Sequence, residues 1–124
     1  MNRKISLILI VLFSVINNGC NIFKSSDQPT IDLLGTKWNL TYTNKNFGKR
    51  SYEIRFLEKG KLYNSHPNEV TENNDTWKQK GNKVVLSFNN NYAIYNGIIK
   101  DTNNITGNAK SKTGGKWDWI ATRL

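Results

Sequence analysis

From Lys37 onwards, apolar and polar residues alternate along almost every segment, which is the two-residue period of strands buried on one face. Trp38, Leu40 and Tyr42 alternate with Lys37, Asn39 and Thr41, and Tyr52, Ile54 and Phe56 alternate with Glu53 and Arg55. Leu62 marks a short strand after a Lys59-Gly60 turn, and Trp77 falls in segment 76–80, the least regular of the set. Val84, Leu86 and Phe88 follow, interleaved with Val85 and Ser87. Tyr92, Ile94 and Ile98 read as one face across Asn96; then come Ile105, Gly107 and Ala109, and finally Trp117, Trp119 and Ala121. The pattern predicts eight strands and no helix of useful length.

Turn chemistry separates these segments. Gly81-Asn82 has two-residue hairpin spacing. The Asn- and Gly-rich stretches 89–91, 101–104 and 112–115 suit backbone with positive φ. Short strands with tight local connections predict an all-β antiparallel meander. Closing it into a small eight-stranded up-and-down barrel removes both exposed sheet edges, with a flatter sandwich as the competing architecture. Gly97 and Gly107 fall inside strands, where a small barrel needs sharp bends. In an up-and-down order the connections 44–50, 65–74, 89–91 and 111–116 gather at one end, and these include the longest. The other end is pinched by short turns. A ligand site belongs at the loop-rich mouth.

The start of the chain has a different pattern. Arg3 and Lys4 precede an apolar-dominated run at 5–16, and the only cysteine, Cys20, follows. This order is that of a secretory signal. A run of twelve residues, ten of them apolar, is too short for a permanent transmembrane helix, which needs about 20. The cysteine placed just past the run resembles the lipobox of bacterial lipoproteins. In that family the thiol receives diacylglycerol and becomes the new N-terminus. Gly19 conforms to the pattern, whereas Asn17 and Asn18 stand where it has an aliphatic and a small residue. The expected organisation is a signal peptide at 1–19, a polar tether at 20–34 and a folded domain at 35–124. Fourteen extended tether residues reach at most about 45 Å beyond Cys20.

Charge changes the picture little. Without Arg3 and Lys4, sixteen basic residues face nine acidic ones, a net charge of +7. Such a surface favours anionic neighbours. The basic residues are nevertheless scattered over turns and exposed strand faces, and nucleic-acid binding conflicts with export.

Three features together resemble the lipocalin-like (calycin) barrels, and more narrowly the short lipocalin-like domains of exported bacterial lipoproteins. They are the opening Gly35-Thr36-Lys37-Trp38, the eight-strand meander and the closing Trp117-Asp118-Trp119-Ile120-Ala121-Thr122-Arg123. The spacing here is Gly-x-x-Trp, one residue longer than the family's Gly-x-Trp. The resemblance implies that Trp38 lies across the closed end with Arg123 over its indole face. Both would be structural residues, their contact a cation–π pair. It also implies a binding fold, commonly for small apolar ligands.

Candidate chemistry is sparse. The single histidine, His66, precedes Pro67 in the longest loop, near Glu69 and Glu72, and has no cysteine partner to build a metal site. No nucleophile elbow, phosphate-binding glycine loop or cysteine–histidine pair is present. The expected protein is non-catalytic, monomeric and without cofactor or metal. It is held at the bacterial cell envelope by a lipid on Cys20, on the periplasmic or surface side of the outer membrane. Its partner would be a small amphipathic ligand, or alternatively an envelope protein engaged through the loops; a nucleic-acid partner is not expected. Large aromatics fill much of so narrow a barrel. Any cavity should be lined near the mouth by Tyr42, Tyr52, Tyr92 and Trp117, with Phe47 and His66 above.

Overall fold

The computed structural model describes residues 30–71 and 73–124; the signal-like segment, Cys20 and Glu72 lie outside the described residues. Eight antiparallel strands form one sheet: β1 (Lys37–Asn44), β2 (Gly48–Phe56), β3 (Leu62–Asn64), β4 (Thr76–Lys80), β5 (Lys83–Phe88), β6 (Ala93–Asp101), β7 (Asn104–Ser111) and β8 (Lys116–Arg123). The sheet order is β3-β2-β1-β8-β7-β6-β5-β4, so every strand pairs with its chain neighbours except at the β3–β4 step, and β1 pairs with β8. The expected all-β up-and-down barrel is therefore the observed one, closed except along one seam. Among the described residues no helix is long and apolar enough to cross a membrane.

The seam lies between β3 and β4. One bridge, Lys61 with Thr76, and one backbone bond, Leu62 N–H to the Asp75 carbonyl at 3.1 Å, join them. Side chains supplement this short ladder. Trp77 donates its indole N–H to the Leu57 carbonyl at 2.9 Å and stands edge-on to Phe56 at 5.1 Å.

Inside, Trp38, Leu40, Ile54, Phe56, Leu86, Ile105 and Trp119 are buried almost completely. One transverse row fixes the packing. Tyr42, Trp119, Gly107, Gly97 and Val84 are successive register partners across five strands. The Trp119 indole spreads over both glycines, so that a Cβ on Gly97 would lie 2.7 Å from its ring. This row corrects the expected face of β6. Ala93, Tyr95, Gly97 and Ile99 point inward, whereas Tyr92 and Ile98 are exposed and Ile94 is half-buried. Both parities of β6 are apolar enough to face a core. The choice is made by the indole, which needs a residue without a side chain at position 97.

The closed end is also built differently from expectation. The folded domain begins before Gly35. Leu33, assigned by the sequence pattern to the tether, is fully buried, and Ile31 packs against the same core. Gln79 on β4 holds this segment, accepting from Leu33 N–H at 3.1 Å and donating to the Ile31 carbonyl at 2.6 Å. Gly35, at φ 77°, turns the chain into β1, and its N–H reaches the Phe56 carbonyl at 2.8 Å. Trp38 donates to Thr36 Oγ1 at 2.7 Å, and that hydroxyl donates to the Leu33 carbonyl at 2.6 Å. Trp38, fully buried, is thus tied through Thr36 to the backbone of Leu33. Arg123 does not cover it. Although Arg123 keeps the inward parity of Ala121, it is exposed at the strand end, and its guanidinium points to the Thr102 carbonyl at 3.5 Å. The cation–π contact observed is elsewhere, Arg55 over Tyr63 at 4.8 Å.

Candidate functional site

Antiparallel order places the β1–β2, β3–β4, β5–β6 and β7–β8 connections at the end opposite Leu33. A cavity of about 180 Å³ opens there. Tyr42 and Tyr52 reach it from β1 and β2, Phe88 from β5, and Ala93 and Tyr95 from β6; His66, Asn68 and Glu69 come from the long loop. Tyr52 stands edge-on to His66 at 5.0 Å, and Phe88 edge-on to Tyr95 at 4.9 Å. One wall is therefore aromatic.

The lining also has a polar part, centred on Asn64. Its amide donates to Glu69 Oε2 at 3.0 Å and to Asp75 Oδ2, while its carbonyl oxygen accepts from His66 N–H at 3.0 Å. Asp75 Oδ1 accepts from Asn89 N–H at 2.8 Å, which ties the β5–β6 turn to the long loop. That turn carries three successive left-handed residues, Asn89, Asn90 and Asn91, a conformation asparagine tolerates because its short amide bonds locally. Here Asn91 accepts from the Ser87 hydroxyl at 2.6 Å.

The proton positions on His66 follow from its partners. Nδ1 lies 3.0 Å from Asn68 N–H, which can only donate, so Nδ1 carries a lone pair. In the neutral ring Nε2 then holds the hydrogen and donates to Tyr42 Oη at 3.0 Å. This leaves the Tyr42 proton to point elsewhere. Partial burial, reinforced by the Arg50 guanidinium, lowers the His66 pKa against a weaker opposing pull from Glu69. The carboxyls diverge. Burial, aided by the Glu69 charge, raises Asp75 despite its bond from Asn89. Burial would raise Glu69 too, but bonds from Asn64 and Thr71 outweigh it and hold Glu69 below its ordinary value. Deeper in, burial pushes the Tyr52 hydroxyl well up and that of Tyr95 up to about 12.

Of the residues proposed from sequence, Tyr42, Tyr52, His66 and Tyr92 line the cavity together. Phe47 does not. It sits on the β1–β2 turn with 65% of its surface exposed, because three turn residues separate β1 from β2 and lift its ring outward. Trp117 backs the site and is not part of its lining: its N–H reaches Tyr95 Oη at 3.1 Å, and its ring stands 6.2 Å from Tyr42. The sequence reading missed Tyr95, Ala93, Asn64 and Asp75. The first two went with the misread face of β6. Asn64 and Asp75 are eleven residues apart with no periodic signal between them. Glu69 does join His66's surroundings; Glu72 is outside the described residues. Among the described residues no group of three or more His, Cys, Asp or Glu side chains is placed to hold a metal ion. No protein-family model matches the chain, and no curated protein matches it in sequence.

Proposed function

We propose that this protein is a lipid-anchored, non-catalytic envelope lipoprotein whose lipocalin-like barrel binds a small amphipathic molecule at its loop-rich mouth. The observation that carries the reading is the mixed lining of the cavity, which combines tyrosine and phenylalanine rings with the polar side chains of Asn64, Glu69 and His66. A molecule with one flat apolar face and one hydrogen-bonding edge fits such walls. At about 180 Å³ the space falls below the ~300–1,000 Å³ of drug-sized sites. It suits a single ring, or the end of a longer molecule projecting from the mouth.

Native mass spectrometry of the chain from residue 20 onwards, incubated with an envelope lipid extract and with small ring compounds, tests this. The expected result is a bound mass that disappears in Ala93→Leu, whose added carbons enter the cavity. Absence of any bound mass, or its persistence in a folded Ala93→Leu protein, overturns the reading. The anchor is tested separately by the mass of the mature N-terminus in the native host, which should carry diacylglycerol on Cys20.

A second reading, a protein-binding rim, is favoured by Phe47, Val70 and Tyr92, exposed by 65%, 88% and 44% on three loops of the mouth. Deleting loop 65–74 would abolish partner recovery in a pull-down if that rim makes the contact.

A further inference from the structure

The closed end of the barrel carries large side chains that the core does not use. Leu34, Leu57 and Leu124 are 47%, 42% and 68% exposed. They form a neighbourhood, because Gly35 N–H bonds the Phe56 carbonyl at 2.8 Å and Leu124 N–H bonds the Lys37 carbonyl at 3.0 Å. Around them stand exposed cations from five separate segments: Lys37, Lys59, Lys80, Lys83, Lys100 and Arg123. None of these is in an ion pair; Arg55 with Glu53 is the only such pair among the described residues. Three carboxylates share the end, Asp32, Glu58 and Asp101. Two of them are engaged locally, Asp32 by Leu34 N–H and Asp101 by Asn103 N–H and the Asn104 amide. The N-terminal segment also enters here, at Ile31 and Leu33.

We propose that this end is a docking surface for an anionic phospholipid bilayer. Exposed leucines ringed by lysines are the chemistry of an interfacial contact: the apolar tips enter the headgroup boundary while the cations meet lipid phosphates. The placement rests partly on the tether reading. Ten residues separate Cys20 from Ile31 and reach at most about 35 Å, so a lipid on Cys20 would keep this face near the bilayer. Docking would then fix an orientation that a tether alone leaves free, with the mouth and its cavity directed away from the membrane.

The test uses the unacylated chain from residue 20 with Cys20→Ser, so its outcome does not depend on whether the native chain is lipidated. The chain is sedimented at low salt with vesicles of phosphatidylcholine, alone or with phosphatidylglycerol. Binding is expected only to the anionic vesicles and should fade as salt is raised. Each lysine near a charged surface contributes about fivefold, so Lys80→Gln/Lys83→Gln/Lys100→Gln should weaken partitioning on the order of a hundredfold. Leu34→Ser/Leu57→Ser should weaken it as well. Lys45→Gln/Lys49→Gln/Lys116→Gln removes the same charge from the mouth end and should leave binding nearly unchanged. These positions are exposed, and a thermal melt of each variant checks that it folds. Equal weakening by the two lysine sets, or no binding to anionic vesicles, overturns the proposal.

Discussion

His66 is the chain's only histidine, so its ring signals titrate without overlap. Partial burial disfavours the charged ring most, and the Arg50 guanidinium opposes the new charge as well. Protonation would also put a hydrogen on Nδ1, where it faces Asn68 N–H. The folded pKa therefore lies below 6.5, and a proton NMR titration should find it there. Arg50→Gln should move it upward; a wild-type value at or above 6.5 would mean that burial and Arg50 do not govern this ring. The consequence for stability has a definite sign. Below about pH 6.5 the unfolded chain takes up a proton that the folded one resists, so this contribution is complete above that pH and fades as pH falls through the folded value. Asp75 acts in the opposite sense, since its raised pKa makes its contribution greatest below 3.8 and diminishing as pH rises through the folded value. Melting temperature should thus drop less steeply below pH 6.5 in His66→Gln than in the wild type. Tyr95 offers a simpler test. Its hydroxyl oxygen accepts the Trp117 N–H, so Tyr95→Phe should cost about 1–3 kcal/mol in denaturant unfolding by orphaning that donor.

At the scale of the strands, the Trp119 row is the decisive element. Gly97 lies beneath its ring, and a Cβ on Gly107 would fall 1.9 Å from the Asn96 carbonyl oxygen. Overpacking of this kind costs about 1–3 kcal/mol. Gly107→Ala should be the worse of the two, because backbone has to move; for Gly97→Ala the indole must tilt. Urea midpoints compare them, and equal costs would mean that the indole is as fixed as the backbone. The same row explains what the sequence disclosed. Alternation located all eight strands, even the weakly patterned 76–80, because each strand has one wet and one dry face. Alternation did not settle which face of β6 is dry. Ile94 and Ile98 are as apolar as Ala93, Tyr95 and Ile99, and the deciding contact comes from Trp119, two strands away. Asn64 and Asp75 were illegible for a related reason. Their meeting depends on the course of a long loop, which no local period encodes. The seam shows the same dependence on side chains, since Trp77 supports it through a single N–H.

For the whole molecule, the question is what seals a barrel this small. A domain of about ninety residues has a marginal core, and its total stability is on the order of 5–15 kcal/mol. One well-placed plug is then a large fraction of the total. Leu33 is that plug. It is fully buried, its carbonyl is linked through Thr36 to Trp38, and it is held by Gln79 from the strand at the open seam. Its importance was hidden in the sequence because Leu34 beside it is equally apolar yet exposed, so residue type does not mark which of the two is inside. Leu33→Ala removes a side chain at a site closed on all sides and should cost about 2–5 kcal/mol. A chain beginning at residue 35 loses Leu33, Ile31 and the Gln79 contacts together, and it should melt at least as low as Leu33→Ala. A chain beginning at residue 30 keeps all of them and should match the longer protein. Denaturant curves on the three separate a structural plug from a passive tether. Equal stability of the chains starting at 30 and at 35 would assign residues 31–34 to the tether after all. The barrel's sealed end would then have to be Trp38 acting alone.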